Sequence, residues 1–131
     1  VGKEYDLTNF AYRELFYFCM QYHEYKREIE MILNSGGGSA TYYQAGRISG
    51  GRSDSTAYKA MRVKYLKDKC EMIEQTALAV DPDIYQPLLK NVTMGVTYEH
   101  MKACDIEILC GRRQFYEKRR KFFYLLNLKR G

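Results

Sequence analysis

The residues best equipped for chemistry stand near the end of the 131-residue chain, in CGRRQFYEKRRKFFYLLNLKRG. Arg112, Arg113 and Gln114 come first, and Glu117, Arg120, Lys121 and Tyr124 follow at the spacing of successive helical turns. Arginine can make paired hydrogen bonds to the edge of guanine in a DNA major groove, and glutamine can do so to adenine. Lysine and further arginines bind phosphate and release its counterions. The free N–H groups of a helix's first turn also suit phosphate, and a recognition helix reads bases with that turn. Arg112, Arg113 and Gln114 occupy it here.

The element that must carry these groups is a helix with two sides. With Phe115 at zero and about 100° per residue, Phe115, Arg119, Phe122, Phe123 and Leu126 share one side. Arg113, Gln114, Glu117, Arg120, Lys121 and Tyr124 share the other, with Arg112 and Tyr116 at the flank. The aromatic side is expected to anchor the helix to the body, leaving the cationic side open. The charge balance agrees. Residues 105–131 hold eight Lys and Arg against three Asp and Glu, so the whole net charge of +5 lies there. Such a block is the footprint of a protein that meets a polyanion. A solvated charged face would carry both signs, whereas here only Glu117 balances the cations.

Other chemistries find less support. His23 and His100 are the only histidines, and neither belongs to an H-E-x-x-H or a cysteine–histidine signature; G-x-S-x-G is also absent. No catalytic residue and no cofactor are expected. Cys19, Cys70, Cys104 and Cys110 are scattered, and the spacing of the last two is not that of a zinc site. They read as reduced core or turn residues, with no metal. GRISGGRS, Gly46–Ser53, differs by Arg52 from a phosphate-binding loop, but no strand pattern feeds it, so nucleotide binding there is not expected. Asn91-Val92-Thr93 matches a glycosylation sequon that a cytoplasmic chain would leave unused. No apolar run of about 18 residues suggests a membrane span, and no secretory leader is read.

The rest of the chain reads as helices. Leu15, Phe18, Tyr22, Ile29 and Ile32 form the stripe of a first helix from about Asn9 to Leu33. A Gly/Ser-rich mobile loop is expected at about 34–53. Ala60, Val63, Leu66, Cys70, Ile73, Ala77 and Val80 mark a second helix from about Ser55 to Val80, with the seam of a shallow helix pair. Folded back on the first, it would give an antiparallel pair, although homodimer pairing would leave the same pattern. Asp81 and Pro82 end it and open a short helix containing Ile84, Leu88, Leu89 and Val92, with Pro87 in its first turn. Gly95 is a left-handed stop, and Thr97 caps a helix carrying Tyr98 and Met101. After the turn CDIEIL, Gly111 starts the last helix. The expected class is all-α: a long helical hairpin over 1–80, then a helix-turn-helix over 81–131. Thr97 and Tyr98, on the supporting helix, complete the expected DNA-contact set of Arg112, Arg113, Gln114, Glu117, Arg120, Lys121 and Tyr124.

The segment LLKNVTMGVTYEHMKACDIEILCGRRQFYEKRRKFFYLL resembles the C-terminal part of the RinA/ArpU-type late transcriptional activators of phages and prophages. Their C-terminal domain is similar to region 4 of sigma factors. The layout of long helix, variable loop, second helix and helix-turn-helix is similar too. The resemblance implies sequence-specific binding to double-stranded promoter DNA in a bacterial host's cytoplasm, contact with RNA polymerase, and no membrane partner. By position, Thr97 to Ala103 would be the supporting helix and Arg112 to Leu126 the recognition helix. The chain departs from the family in the length of the CDIEIL turn. Two alternatives stay open on sequence: a phage protein that inhibits a host nucleic-acid-processing complex, and a small terminase-like packaging component.

Overall fold

A computed structural model describes residues 5–46 and 49–131, and side chains outside 36–54. Among the described residues the regular structure is wholly helical, so the all-α class holds. α1 spans Asn9–Met20, α2 Tyr22–Gly46 and α3 Ser49–Val80. After a 3₁₀ turn at Pro82–Ile84 come α4 (Tyr85–Met94), α5 (Tyr98–Ala103) and α6 (Arg112–Arg130).

The single helix expected from Asn9 to Leu33 is broken at Gln21. In an unbroken helix its N–H would bond to the carbonyl of Tyr17. Instead it bonds to the Phe18 oxygen at 3.2 Å, and the Gln21 side chain donates from Nε2 to the Tyr17 oxygen at 3.4 Å. A side chain entering the backbone ladder is a recognised cause of such a break.

The glycine-rich stretch also departs from expectation. α2 carries helical backbone to Gly46, and α3 resumes at Ser49. Extending an established helix adds one hydrogen bond per residue fixed, whereas nucleating one is costly. A glycine penalty of about 1 kcal/mol therefore does not by itself end a helix. Residues 47 and 48, and the side chains of GRISGGRS, lie outside the described residues.

Two compact units emerge: Val1–Tyr22 with Glu71–Gly131, and His23–Cys70. This grouping differs from a division at residue 80: it places the last turns of α3, from Glu71, with the C-terminal helices. In the second unit Arg62 donates to both carboxylate oxygens of Glu28, at 2.7 and 3.1 Å, and holds that carboxyl below its usual range. Lys69 lies over the Tyr25 ring at 5.6 Å, and Ile29, Leu66 and Cys70 are buried.

In the first unit α1 packs on α4 and α6, and α4 on α5 and α6. Leu15, Phe18 and Cys19 of α1 are buried, as are Ile73 and Ala77 of α3, Leu88 and Val92 of α4, and Met101 of α5. Burial pushes the Cys19 thiol up to about 12, against the downward pull of Arg119 and Arg130. All four cysteines are free thiols. Among the described residues no helix is long and apolar enough to cross a membrane.

The turns follow local chemistry. The Thr8 hydroxyl accepts from the Ala11 N–H at 3.1 Å, and Asp81 accepts from the Asp83 N–H at 2.9 Å. Gly95, at φ 74°, takes the left-handed position that ends α4. At the end of α5 the Ile106 N–H reaches the Met101 oxygen at 2.9 Å, and the Asp105 N–H reaches the Lys102 oxygen at 3.0 Å. That pair of bonds is the Schellman ending, which usually has glycine at its left-handed position. Asp105 holds it here, at φ 63°.

Candidate nucleic-acid interface

α6 is fixed by its rings. Phe115, Phe122, Phe123 and Leu126 are all fully buried, which is the aromatic side deduced from helical angle. Phe123 meets the Tyr12 ring of α1 edge-on at 5.1 Å, and Phe115 meets Tyr98 of α5 at 5.6 Å.

The fifth member of that side, Arg119, is a strut. Its Nε donates to Asn91 Oδ1 at 2.6 Å and its Nη2 to the Tyr12 hydroxyl at 2.8 Å. The guanidinium also lies over the Phe123 ring at 5.0 Å. Asn91 is only 5% exposed, and its Nδ2 donates to the Val96 oxygen at 2.9 Å. One polar chain thus runs from α1 through α6 and α4 to the turn before α5. It also removes Asn91 from any role as a glycosylation acceptor.

Five of the eight cations in residues 105–131 are engaged with the molecule itself, Arg113 only through Glu117 on its own helix. Arg112 pairs with Glu99 and lies over the Tyr116 ring at 5.0 Å. Lys118 pairs with Asp81, Arg119 is the strut, and Arg130 lies over Phe18 at 4.2 Å. The Asp81 carboxyl is held below its usual range by Lys118 and by the Asp83 N–H. The Glu99 carboxyl is held low by its own backbone N–H and then by Arg112.

The residues expected to meet DNA therefore divide. Arg113 is 94% exposed at its side chain, with Glu117 4.0 Å away on the next turn. Gln114 and Arg120 are exposed and Lys121 is half-exposed; none has a partner among the described residues. These residues form one stripe about 12 Å long at 1.5 Å per residue, with three cations against the single carboxylate of Glu117. Tyr124, further along, is half-covered by the Tyr5 ring at 5.4 Å. Arg112 stands beside the stripe but is tied to Glu99.

Thr97 and Tyr98 have structural work. The Thr97 hydroxyl accepts from the His100 N–H at 3.1 Å and caps α5. The Tyr98 hydroxyl donates to the Cys110 oxygen at 3.0 Å, and its N–H donates to the Tyr116 hydroxyl at 3.2 Å. Tyr98 ties α5 to α6 and to the turn before it, whereas Thr97 is exposed and caps α5; neither lies on the α6 stripe. Sequence reading missed Asn91, Tyr12 and Asp81 as the partners that position α6. The one available signal was Asn91, a polar residue on the apolar side of α4 between Leu88 and Val92. Comparison with protein-family models, with curated proteins and with solved structures gave no match to this chain.

Proposed function

We propose that this chain is a sequence-specific DNA-binding protein that regulates transcription, with α6 as the helix that enters the major groove. The observation that carries this reading is the stripe of Arg113, Gln114, Arg120 and Lys121, which stays open while the other side of the same helix is buried. Arginine and glutamine supply base-edge hydrogen bonds and lysine supplies a phosphate contact. α5 serves as the supporting helix, joined to α6 by the left-handed turn at Asp105 and braced by Tyr98 and Arg112. The connection is longer than the three or four residues of the usual helix-turn-helix. The polar chain through Arg119 compensates by fixing α6 directly to α4 and α1.

On this reading the contacts of Glu28 with Arg62 and Tyr25 with Lys69 belong to an antiparallel pair of long helices. That pair is a candidate homodimer element, and two copies would read half-sites about one helical turn of DNA apart. The resemblance of residues 88–126 to RinA/ArpU-type activators extends the proposal to phage promoters, contact with RNA polymerase, and action in the host cytoplasm.

Selection of bound sequences from a random duplex pool tests the reading. An enriched motif, bound at least about tenfold more weakly by Arg113→Ala or Arg120→Ala, is the expected result. A folded protein that enriches no sequence and retains no duplex would exclude it.

A further inference from the structure

A second feature of the first unit is a cleft of about 430 Å³ between the start of the described chain and α6. Its walls include the rings of Tyr5, Tyr12, Tyr116 and Phe123, with Arg119 and Arg120 along one side and Asp6 and Asn9 among its other polar groups. Pockets of this size that combine rings with convergent polar groups are a usual form of small-ligand site.

The charge inside it is unusual. Arg119 is half-buried, yet no carboxylate among the described residues pairs with it; its two hydrogen bonds go to the neutral Asn91 and Tyr12. Among the described residues no buried side-chain nitrogen lacks a partner, so the donors Arg119 does not spend on Asn91 and Tyr12 are open to solvent in the cleft. A guanidinium has five donors, so the remainder of its fork has no protein acceptor. The Tyr12 hydroxyl accepts from Arg119 and keeps its own proton to donate. Arg120 adds a second guanidinium with no partner among the described residues. These are the donors an oxyanion requires, and arginine forks suit phosphate in particular. The surrounding rings offer stacking to a planar group. Asp6 would repel a simple anion, but it accepts hydrogen bonds from amino or hydroxyl groups.

We propose that this cleft binds a nucleoside monophosphate, with the phosphate on Arg119 and Arg120, the base against the tyrosines, and sugar or base N–H and O–H groups donating to Asp6. The same chemistry is offered by a free mononucleotide and by an unpaired nucleotide of a DNA strand. The site does not depend on α6 entering a duplex.

The test is a titration of isotope-labelled full chain with deoxyadenosine monophosphate, followed by NMR of the tyrosine rings. Inorganic phosphate, deoxyadenosine and a short single-stranded oligonucleotide are titrated in parallel. Saturable shifts of Tyr12 and Tyr116, with phosphate and nucleoside each at least about tenfold weaker, are expected. Arg120→Ala should weaken the mononucleotide about tenfold. Lys129→Ala, which removes a charge from the same helix outside the cleft, should not. An oligonucleotide that binds tighter than the mononucleotide assigns the site to unpaired DNA, and equal affinity assigns it to the free nucleotide. Absence of saturation at several millimolar, phosphate binding as tightly as the nucleotide, or equal losses from Arg120→Ala and Lys129→Ala would overturn the proposal. Since no duplex is present, these outcomes are independent of duplex recognition.

Discussion

Arg119 Nε and Asn91 Oδ1 stand 2.6 Å apart and couple α6 to α4, while the same asparagine side chain holds the Val96 carbonyl at 2.9 Å. The orientation of the cationic stripe is therefore set from the opposite side of its own helix. Any rotation of α6 that moved Arg113 or Arg120 would also displace Arg119 from Asn91. The rigid presentation that base recognition needs comes from a polar contact inside an otherwise ring-filled face.

Asn91→Leu should destabilise the protein by about 1–2 kcal/mol, because it leaves the part-buried Val96 carbonyl and an Arg119 donor without their partner. The denaturation midpoint should fall with little change in the slope of the unfolding transition. An unchanged midpoint would show that the strut carries no structural role.

The two faces of α6 should respond differently to alanine. Phe122→Ala removes a fully buried ring and should cost about 3–5 kcal/mol. Arg113→Ala and Arg120→Ala should change stability by no more than about 0.5 kcal/mol. Equal destabilisation in all three variants would mean that the faces are wrongly assigned.

The faces of α6 were legible because helical angle separates Phe115, Phe122, Phe123 and Leu126 from Arg113, Gln114 and Arg120 without tertiary information. Gly95 and Thr97 were legible for a similar reason: left-handed stops and hydroxyl caps are decided within one turn of chain. The partners of the cations were not. Arg119 meets Asn91 and Tyr12 at sequence separations of 28 and 107, and no local pattern encodes such a contact. Tyr98 joined the expected contact set through its place on the supporting helix, and its hydroxyl donates to the Cys110 carbonyl, a partner no local pattern announces. The break at Gln21 has no glycine or proline to announce it and depends on one side-chain amide reaching a carbonyl.

The turn after α5 predicts a gain. Asp105 is the non-glycine residue at positive φ among the described residues, in the left-handed position of a Schellman ending. Asp105→Gly should raise stability by about 0.5–1 kcal/mol by removing the Cβ penalty, and Asp105→Val should lower it. Thermal melts of the three proteins should rank glycine, aspartate, valine from most to least stable.

Acid should weaken the fold through specific carboxylates. Asp81, Glu28 and Glu99 all have folded-state pKa values below their ordinary ones. The stability they contribute is therefore present above about pH 4 and is lost as pH falls through the lowered folded values. Asp81→Ala should cost about 1–2 kcal/mol near neutrality through its capping bond and should show a shallower further loss in acid. Denaturant melts measured across that range would test this, and an unchanged acid slope would remove Asp81 from the account.

The most direct measurement is the salt dependence of affinity for a duplex carrying the selected motif. Log K should fall linearly with log salt at roughly 0.9 per phosphate neutralised, with a slope between about −1, when Lys121 alone meets phosphate, and about −3, when Arg113 and Arg120 do so too. Lys121→Ala should make the slope shallower by about 1. Binding that ignores salt, or no binding to any duplex at low salt by the folded protein, would contradict recognition of DNA through α6.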